Sequence, residues 1–92
     1  MSEKIVVFGA GATGRGHVGL LAWQAGCEIV FVDKKAELVD ALRRAGAYTV
    51  RLFGQGAQEL TVRGYRVYHH EERQAIAEEI RDAALVLTAV FD

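Results

Sequence analysis

An α/β fold built on a doubly wound, mostly parallel sheet is predicted by three observations. Apolar runs of strand length alternate with segments of helical periodicity. The first run, Ile5-Val6-Val7-Phe8, leads directly into the glycine-rich string Gly9-Ala10-Gly11-Ala12-Thr13-Gly14. An acidic residue, Asp33, closes the second run. Two β-α pairs in succession require parallel strands joined by helical crossovers, and those crossovers are right-handed by default. The expected fold is of the Rossmann type, a single domain over residues 1–92. It holds the first mononucleotide half plus one strand of the second, a truncated version of the full sheet.

The elements follow in order. Residues 4–8 read as the first strand and 14–26 as the first helix, with Val18, Leu21, Ala22 and Ala25 at i, i+3, i+4 and i+7. Gly26 is placed to end that helix. Residues 28–32 form the second strand and 34–45 the second helix, whose apolar stripe is Leu38, Ala41, Leu42 and Ala45 and whose stop is Gly46. Tyr48 to Phe53 alternates as a half-exposed strand, and Gly54-Gln55-Gly56 is a turn. Leu60-Thr61-Val62 and Tyr65-Arg66-Val67-Tyr68 flank Arg63-Gly64 like a hairpin. An inserted β-meander at one sheet edge is therefore expected, with Tyr65 to Tyr68 returning parallel to the sheet. Glu71 to Asp82 is the third helix, with acids in its first turn, Arg81 in its last, and Ile76 and Ile80 on its buried face. Ala84 to Val90 is a continuous apolar strand expected beside the first, across the topological switch point.

Composition sets the outer limits. The chain has 92 residues, 51% hydrophobic and 25% charged, as in one small soluble domain. A net charge of −1, with eleven basic residues spread along the chain, gives no electrostatic case for nucleic acid or an anionic membrane. The run from Ala83 to Phe91 is too short to cross a bilayer, and Met1-Ser2-Glu3-Lys4 lacks the build of a signal peptide, so a cytoplasmic location is expected. Cys27 is the only cysteine and reads as a small buried hydrophobe. Trp23 reads as packing. A truncated sheet with an open edge makes self-association plausible.

The glycine string carries the chemistry. A lone G-x-G-x-x-G is weak, but here a strand precedes it, a helix follows it, and an acid stands about 20 residues on. Gly9 would allow the tight turn out of the strand, Gly11 would let a diphosphate approach the backbone, and Gly14 would let the helix pack closely on the strand. The amides and positive dipole end of the helix would face the diphosphate. Arg15, in the first turn, is read either as a phosphate contact or as a solvated charge. Asp33 can accept hydrogen bonds from both ribose hydroxyls of an adenosine and would repel a 2′-phosphate, which favours NAD over NADP, although Lys34 and Lys35 partly offset this. Asp33 is also a candidate cap for the following helix. His69 and His70 invite a metal or catalytic reading, but neighbours on an extended segment point to opposite faces, so an exposed helix entry is expected and no metal. His17 lies one turn into the glycine helix and reads as packing before substrate proximity.

Phe8-Gly9-Ala10-Gly11-Ala12-Thr13-Gly14-Arg15-Gly16-His17-Val18-Gly19, then Phe31-Val32-Asp33, then Leu87-Thr88-Ala89-Val90, resembles the N-terminal NAD-binding domain of the polyol-specific long-chain dehydrogenases of the mannitol-1-phosphate 5-dehydrogenase type. The resemblance spans essentially the whole chain and includes the inserted β segment. It implies NAD(H) as cofactor and reversible oxidation of a polyol phosphate, mannitol 1-phosphate to fructose 6-phosphate. By motif match it implies pyrophosphate contacts from Gly9, Gly11, Ala12, Thr13 and Gly14, with Ala10 and Arg15 in the same loop. Asp33 is implied at the adenosine ribose, and Thr88, Ala89 and Val90 along the rest of the cofactor. His17 departs from an apolar aromatic of the family pattern, and Val90-Phe91 departs from a glycine that commonly follows T-A-V. The family's catalytic lysine and substrate pocket lie in a helical C-terminal domain with no counterpart here. The chain is therefore expected to bind cofactor without turnover, as part of a longer enzyme, and no catalytic residue is assigned.

Other classes use similar loops. A free-standing NAD-responsive regulatory module shares the strand, the glycine loop and the ribose acid. A short-chain dehydrogenase or flavin reductase would want a glycine at position 17 or a G-x-x-x-G-x-G spacing, and His17 and Thr13 break these. A methyltransferase also opens on a glycine-rich loop, and ligand binding separates it.

Overall fold

The computed structural model describes residues 3–54 and 56–89. In chain order the elements are β1 (Lys4–Phe8), a π-helical segment (Gly14–Gly19) running into α1 (Leu20–Gln24), β2 (Glu28–Asp33), α2 (Ala36–Ala45), β3 (Ala47–Leu52), β4 (Gln58–Arg63), β5 (Arg66–His69), α3 (Arg73–Arg81) and β6 (Leu85–Thr88). β1 and β2 pair in parallel, Lys4 opposite Glu28 through Phe8 opposite Val32. Both strands are covered on two faces, which explains why they read as unbroken apolar runs. β5 adds parallel beyond β2 and β6 parallel beyond β1, giving the order β5-β2-β1-β6. The sheet is wholly parallel and mixed with helices, as the alternating pattern predicts.

The strand period of two divides the apolar residues between two layers. Val7, Ile29, Phe31 and Val67 face α1 and α2, where Leu20, Ala22, Val39 and Leu42 complete a core with Val62 of β4. Val6, Val30 and Val32 point the other way, onto Ile76 of α3. Burying each such side chain contributes about 1.5–3 kcal/mol relative to leaving it exposed. Trp23 and Cys27 pack half-buried against the first layer. Among the described residues no helix is long and apolar enough to cross a membrane.

The insertion meets one expectation and departs from another: the Tyr65 to Tyr68 run does return parallel to the sheet, as β5, but it does not pair with the strand before it. β3 and β4 form a separate two-stranded antiparallel sheet, Ala47 opposite Arg63 through Leu52 opposite Gln58. No hairpin closes at Arg63-Gly64. Gly64, at φ 79°, turns the chain away instead, so that β5 enters the parallel sheet. The meander is thus a hairpin plus a parallel edge strand. Val62 is fully buried while Phe53, near the tip, is 87% exposed.

The helix faces also need correction. Leu21 is 56% exposed and Ala25 is exposed, whereas Leu20 and Ala22 are buried. A π turn holds more residues than an α turn, so it rotates everything after Gly19 relative to a regular 3.6-residue count. In α2 the buried pair is Val39 and Leu42, with Ala41 and Ala45 exposed. The larger Val39 displaces the two alanines from the inward face because it removes more apolar area from water. Gly46 ends α2 in the left-handed conformation, as expected. In α3 Ile76 is buried but Ile80 is 37% exposed, and Glu71 and Glu72 precede the first turn rather than occupying it.

Glu79, not Ile80, shares the inward side of α3. Only 8% exposed, it takes Lys4 Nζ at 2.9 Å, the Arg66 guanidinium, and the Tyr68 hydroxyl at 2.9 Å. Arg66 also meets Glu28 at 2.6 Å. The guanidinium, against desolvation and with help from Lys4 and Tyr68, holds the Glu79 carboxyl at about 2, below its usual 4.5. This network ties α3 to the N-terminal ends of β1, β2 and β5. The opposite, C-terminal ends of the strands are left for the cleft.

Candidate functional site

A cleft of about 470 Å³ opens at the C-terminal strand ends, within the 300–1,000 Å³ range of small-molecule sites. Strand addition runs from β1 through β2 to β5 and then reverses to β6, so the cleft sits at the switch point of the sheet. Phe8 of β1 and Gly9 after it, Val32 and Asp33 of β2, and Ala89 after β6 line it. The Gly9 amide donates to the Val32 carbonyl at 2.7 Å, and the Ala89 amide to the Phe8 carbonyl at 2.7 Å. These bonds fix the three strand ends to one another.

The glycines divide into two physical kinds. Gly9 has φ 117°, a conformation open to glycine and strained for a side chain. A Cβ on Gly14 would lie 2.0 Å from the Gly9 carbonyl oxygen, so helix and turn touch backbone to backbone. Gly11 is different. A Cβ there would meet nothing within 4 Å, and the residue lines the cleft. The fold gives no steric reason for glycine at this position. The helical ladder starts with the Arg15 amide donating to the Gly11 carbonyl at 3.0 Å. The amides of Ala12 and Thr13, which also line the cleft, precede that ladder and lie at the positive end of the helix.

Asp33 stands across from this loop. Its Oδ2 accepts the Ala10 amide at 2.8 Å and its Oδ1 the Lys35 amide at 2.9 Å. Burial pushes its carboxyl up, but the amides of Ala10, Lys35 and Lys34 outweigh that and hold it below the usual carboxylate value. The Lys35 contact is an Asx turn, and the cap position of α2 is Lys35 itself, with no side-chain cap. A carboxylate has about four lone-pair sites, so two backbone donors leave acceptor capacity toward the cleft.

Of the loop residues named from sequence, Gly9, Gly11, Ala12, Thr13, Asp33 and Ala89 line this one cleft. Ala10 is fully buried, with its amide spent on Asp33. Arg15 lies outside the lining, and its Nε reaches back to the Gly11 carbonyl at 3.4 Å. Gly14 is packed behind the loop. Thr88 pairs opposite Phe8 and is exposed, and Val90, with Phe91, lies outside the described residues. His17 is exposed.

Sequence reasoning missed His70. The chain turns after β5, the His70 amide donates to the Asp33 carbonyl at 3.0 Å, and the side chain joins Lys34 and Lys35 in the cleft wall. The signal available was strand order: β5 lies beside β2, so its end meets Asp33. The same turn overturns the opposite-faces argument, since the His69 and His70 rings stack edge-on with centroids 4.6 Å apart. With Glu71 their ligating atoms fall within 4.8 Å of one another. His69, however, has Nε2 3.1 Å from the Lys34 carbonyl oxygen and Nδ1 accepting the Glu71 amide at 3.4 Å. Both its nitrogens already have partners.

A glycine loop at a switch point, with an acid at the end of the next strand, narrows the family, and the comparisons decide it. Residues 3–90 match the mannitol dehydrogenase Rossmann domain. The chain belongs to the mannitol dehydrogenase family. It is 47% identical over 85 residues to mannitol-1-phosphate 5-dehydrogenase of Brevibacillus brevis, covering 92% of this chain and 22% of that protein. It is 42% identical over 88 residues to the enzyme of the same name from Paenarthrobacter aurescens, covering 95% and 23%, and 34% identical over 87 residues to that of Thermoanaerobacter pseudethanolicus, covering 95% and 22%. The chain thus spans under a quarter of the length of these mannitol dehydrogenase relatives.

Proposed function

We propose that this domain binds NAD(H) in the cleft and serves as the cofactor-binding part of a polyol dehydrogenase. In this reading the diphosphate lies against Gly9, Gly11, Ala12 and Thr13, the adenosine ribose is held by Asp33, and the strand end at Thr88 and Ala89 borders the rest of the dinucleotide. Gly14 acts from behind, by letting the helix reach the turn. The observation that carries the reading is Gly11, a glycine without a steric reason inside the fold, facing Asp33 across one cleft.

The dinucleotide supplies the hydride acceptor or donor. The chain's own residues bind and orient it. Amides at the helix start offer hydrogen bonds and a positive dipole end to the diphosphate. The Asp33 carboxylate, kept ionised by its backbone donors, accepts the ribose hydroxyls and repels a 2′-phosphate, so NADH is preferred to NADPH. By likeness to the relatives named for mannitol 1-phosphate, the whole enzyme interconverts that polyol phosphate and fructose 6-phosphate. Hydride transfer needs the carbinol carbon held against the nicotinamide and a base at its hydroxyl. We assign neither role within these 92 residues, so the chain alone binds cofactor without turnover. A cytoplasmic setting and the absence of nucleic-acid or membrane partners belong to the same reading.

NADH fluorescence titration of the 92-residue chain, with a parallel assay of mannitol 1-phosphate oxidation, tests both halves. Saturable NADH binding with no oxidation is expected. A folded chain indifferent to millimolar NADH would overturn the cofactor assignment, and turnover would overturn the inactivity.

A further inference from the structure

The hairpin inserted between α2 and β5 reaches the glycine-loop helix with a hydrogen bond from Tyr48. Tyr48 of β3 donates its hydroxyl hydrogen to the Arg15 carbonyl at 2.9 Å, within the π-helical segment. It gets there over Gly19, where an added Cβ would lie 2.7 Å from the Tyr48 hydroxyl oxygen and 2.7 Å from Phe31 Cζ. The ring itself is fixed, edge-on to Phe31 at 6.1 Å and tilted against Tyr65 at 5.5 Å. Tyr65 is in turn anchored by its hydroxyl to the Leu42 carbonyl at 2.8 Å. Burial pushes the Tyr48 hydroxyl up to about 12, so it stays a donor throughout the neutral range.

Arg15 is also the residue whose amide opens the helical ladder on the Gly11 carbonyl. A single peptide chain therefore links the Tyr48 hydroxyl, the Arg15 carbonyl and the Gly11 end of the cleft. π turns cost helix regularity and cluster at functional sites, and the Tyr48 hydroxyl adds a hydrogen bond from outside the helix to one carbonyl of this turn. We propose that Tyr48 is a positioning residue: by holding the Arg15 carbonyl it locks the π turn and so aims the Ala12 and Thr13 amides into the cleft. This rests on the dinucleotide reading above, since the aimed amides need a phosphate to bind.

The test is Tyr48→Phe, which removes the hydroxyl and keeps the ring. NADH affinity should fall about three- to tenfold, the size of one net hydrogen bond, while affinity for adenosine, which has no phosphate and depends on Asp33, stays within twofold by NMR titration. In the ligand-free proteins the amide resonances of Gly11, Ala12, Thr13 and Arg15 should move and those of β6 should not. Unchanged NADH affinity with unmoved loop resonances overturns the proposal, and so does an equal loss for adenosine or a variant that fails to fold, because the hydroxyl would then be serving the core. Failure of the unsubstituted chain to bind NADH would instead remove the dinucleotide reading, and the proposal with it.

Discussion

Gly11 and Gly14 are three residues apart in one motif, yet the structure gives them opposite physical reasons. Gly14→Ala would place a methyl group 2.0 Å from the Gly9 oxygen. Overpacking of that severity costs about 1–3 kcal/mol or more, so a lower Tm is expected, with loss of binding as a consequence. Gly11→Ala meets open space. Its Tm should stay within a degree or two by thermal circular dichroism while NADH affinity falls at least tenfold. A Gly11→Ala variant that binds normally would remove the diphosphate from this loop. The motif made Gly9, Gly11, Gly14 and Asp33 legible because each needs only its neighbours in sequence to be interpreted. His70 and Tyr48 are not legible from the motif, since their proximity to Asp33 and Arg15 depends on the turn the chain makes after β5 and on where the hairpin folds back.

At the scale of elements, sequence periodicity placed every strand and helix within a few residues and erred on faces and partners. The first helix was phased as 3.6 residues per turn from Val18, and the π segment at Gly14–Gly19 shifts that phase. Leu20→Ala should therefore cost about 2–5 kcal/mol, and Leu21→Ala under about 0.5 kcal/mol, by urea denaturation. The reverse order would mean that the helix is regular in solution. β4 pairs with β3, not with β5 as the hairpin reading of Arg63-Gly64 has it. Arg63-Gly64 looks like a two-residue turn, but the Val62 side chain is already committed to the core and β5 gains a full parallel partner in β2, a non-local preference that no local turn signal encodes.

Across the whole molecule the two ends of the parallel strands differ in purpose. The N-terminal strand ends are held by Lys4, Glu28, Arg66 and Glu79, and the C-terminal ends are left to the cleft. β6 reads from sequence as a continuous apolar strand, but Leu85 and Val86 are 48% and 43% exposed at the sheet's edge. The parallel order β5-β2-β1-β6 was predictable because each β-α repeat and its right-handed crossover leave few alternatives. The central claim is that one dinucleotide lies between the glycine loop and Asp33. Its most direct test is a ¹⁵N-resolved NMR titration of the chain with NADH. The account predicts saturable shifts concentrated at Gly9, Gly11, Ala12, Thr13, Asp33 and Ala89, with the β3–β4 hairpin tip unmoved. Shifts centred away from that cleft, or none at millimolar NADH, would contradict it.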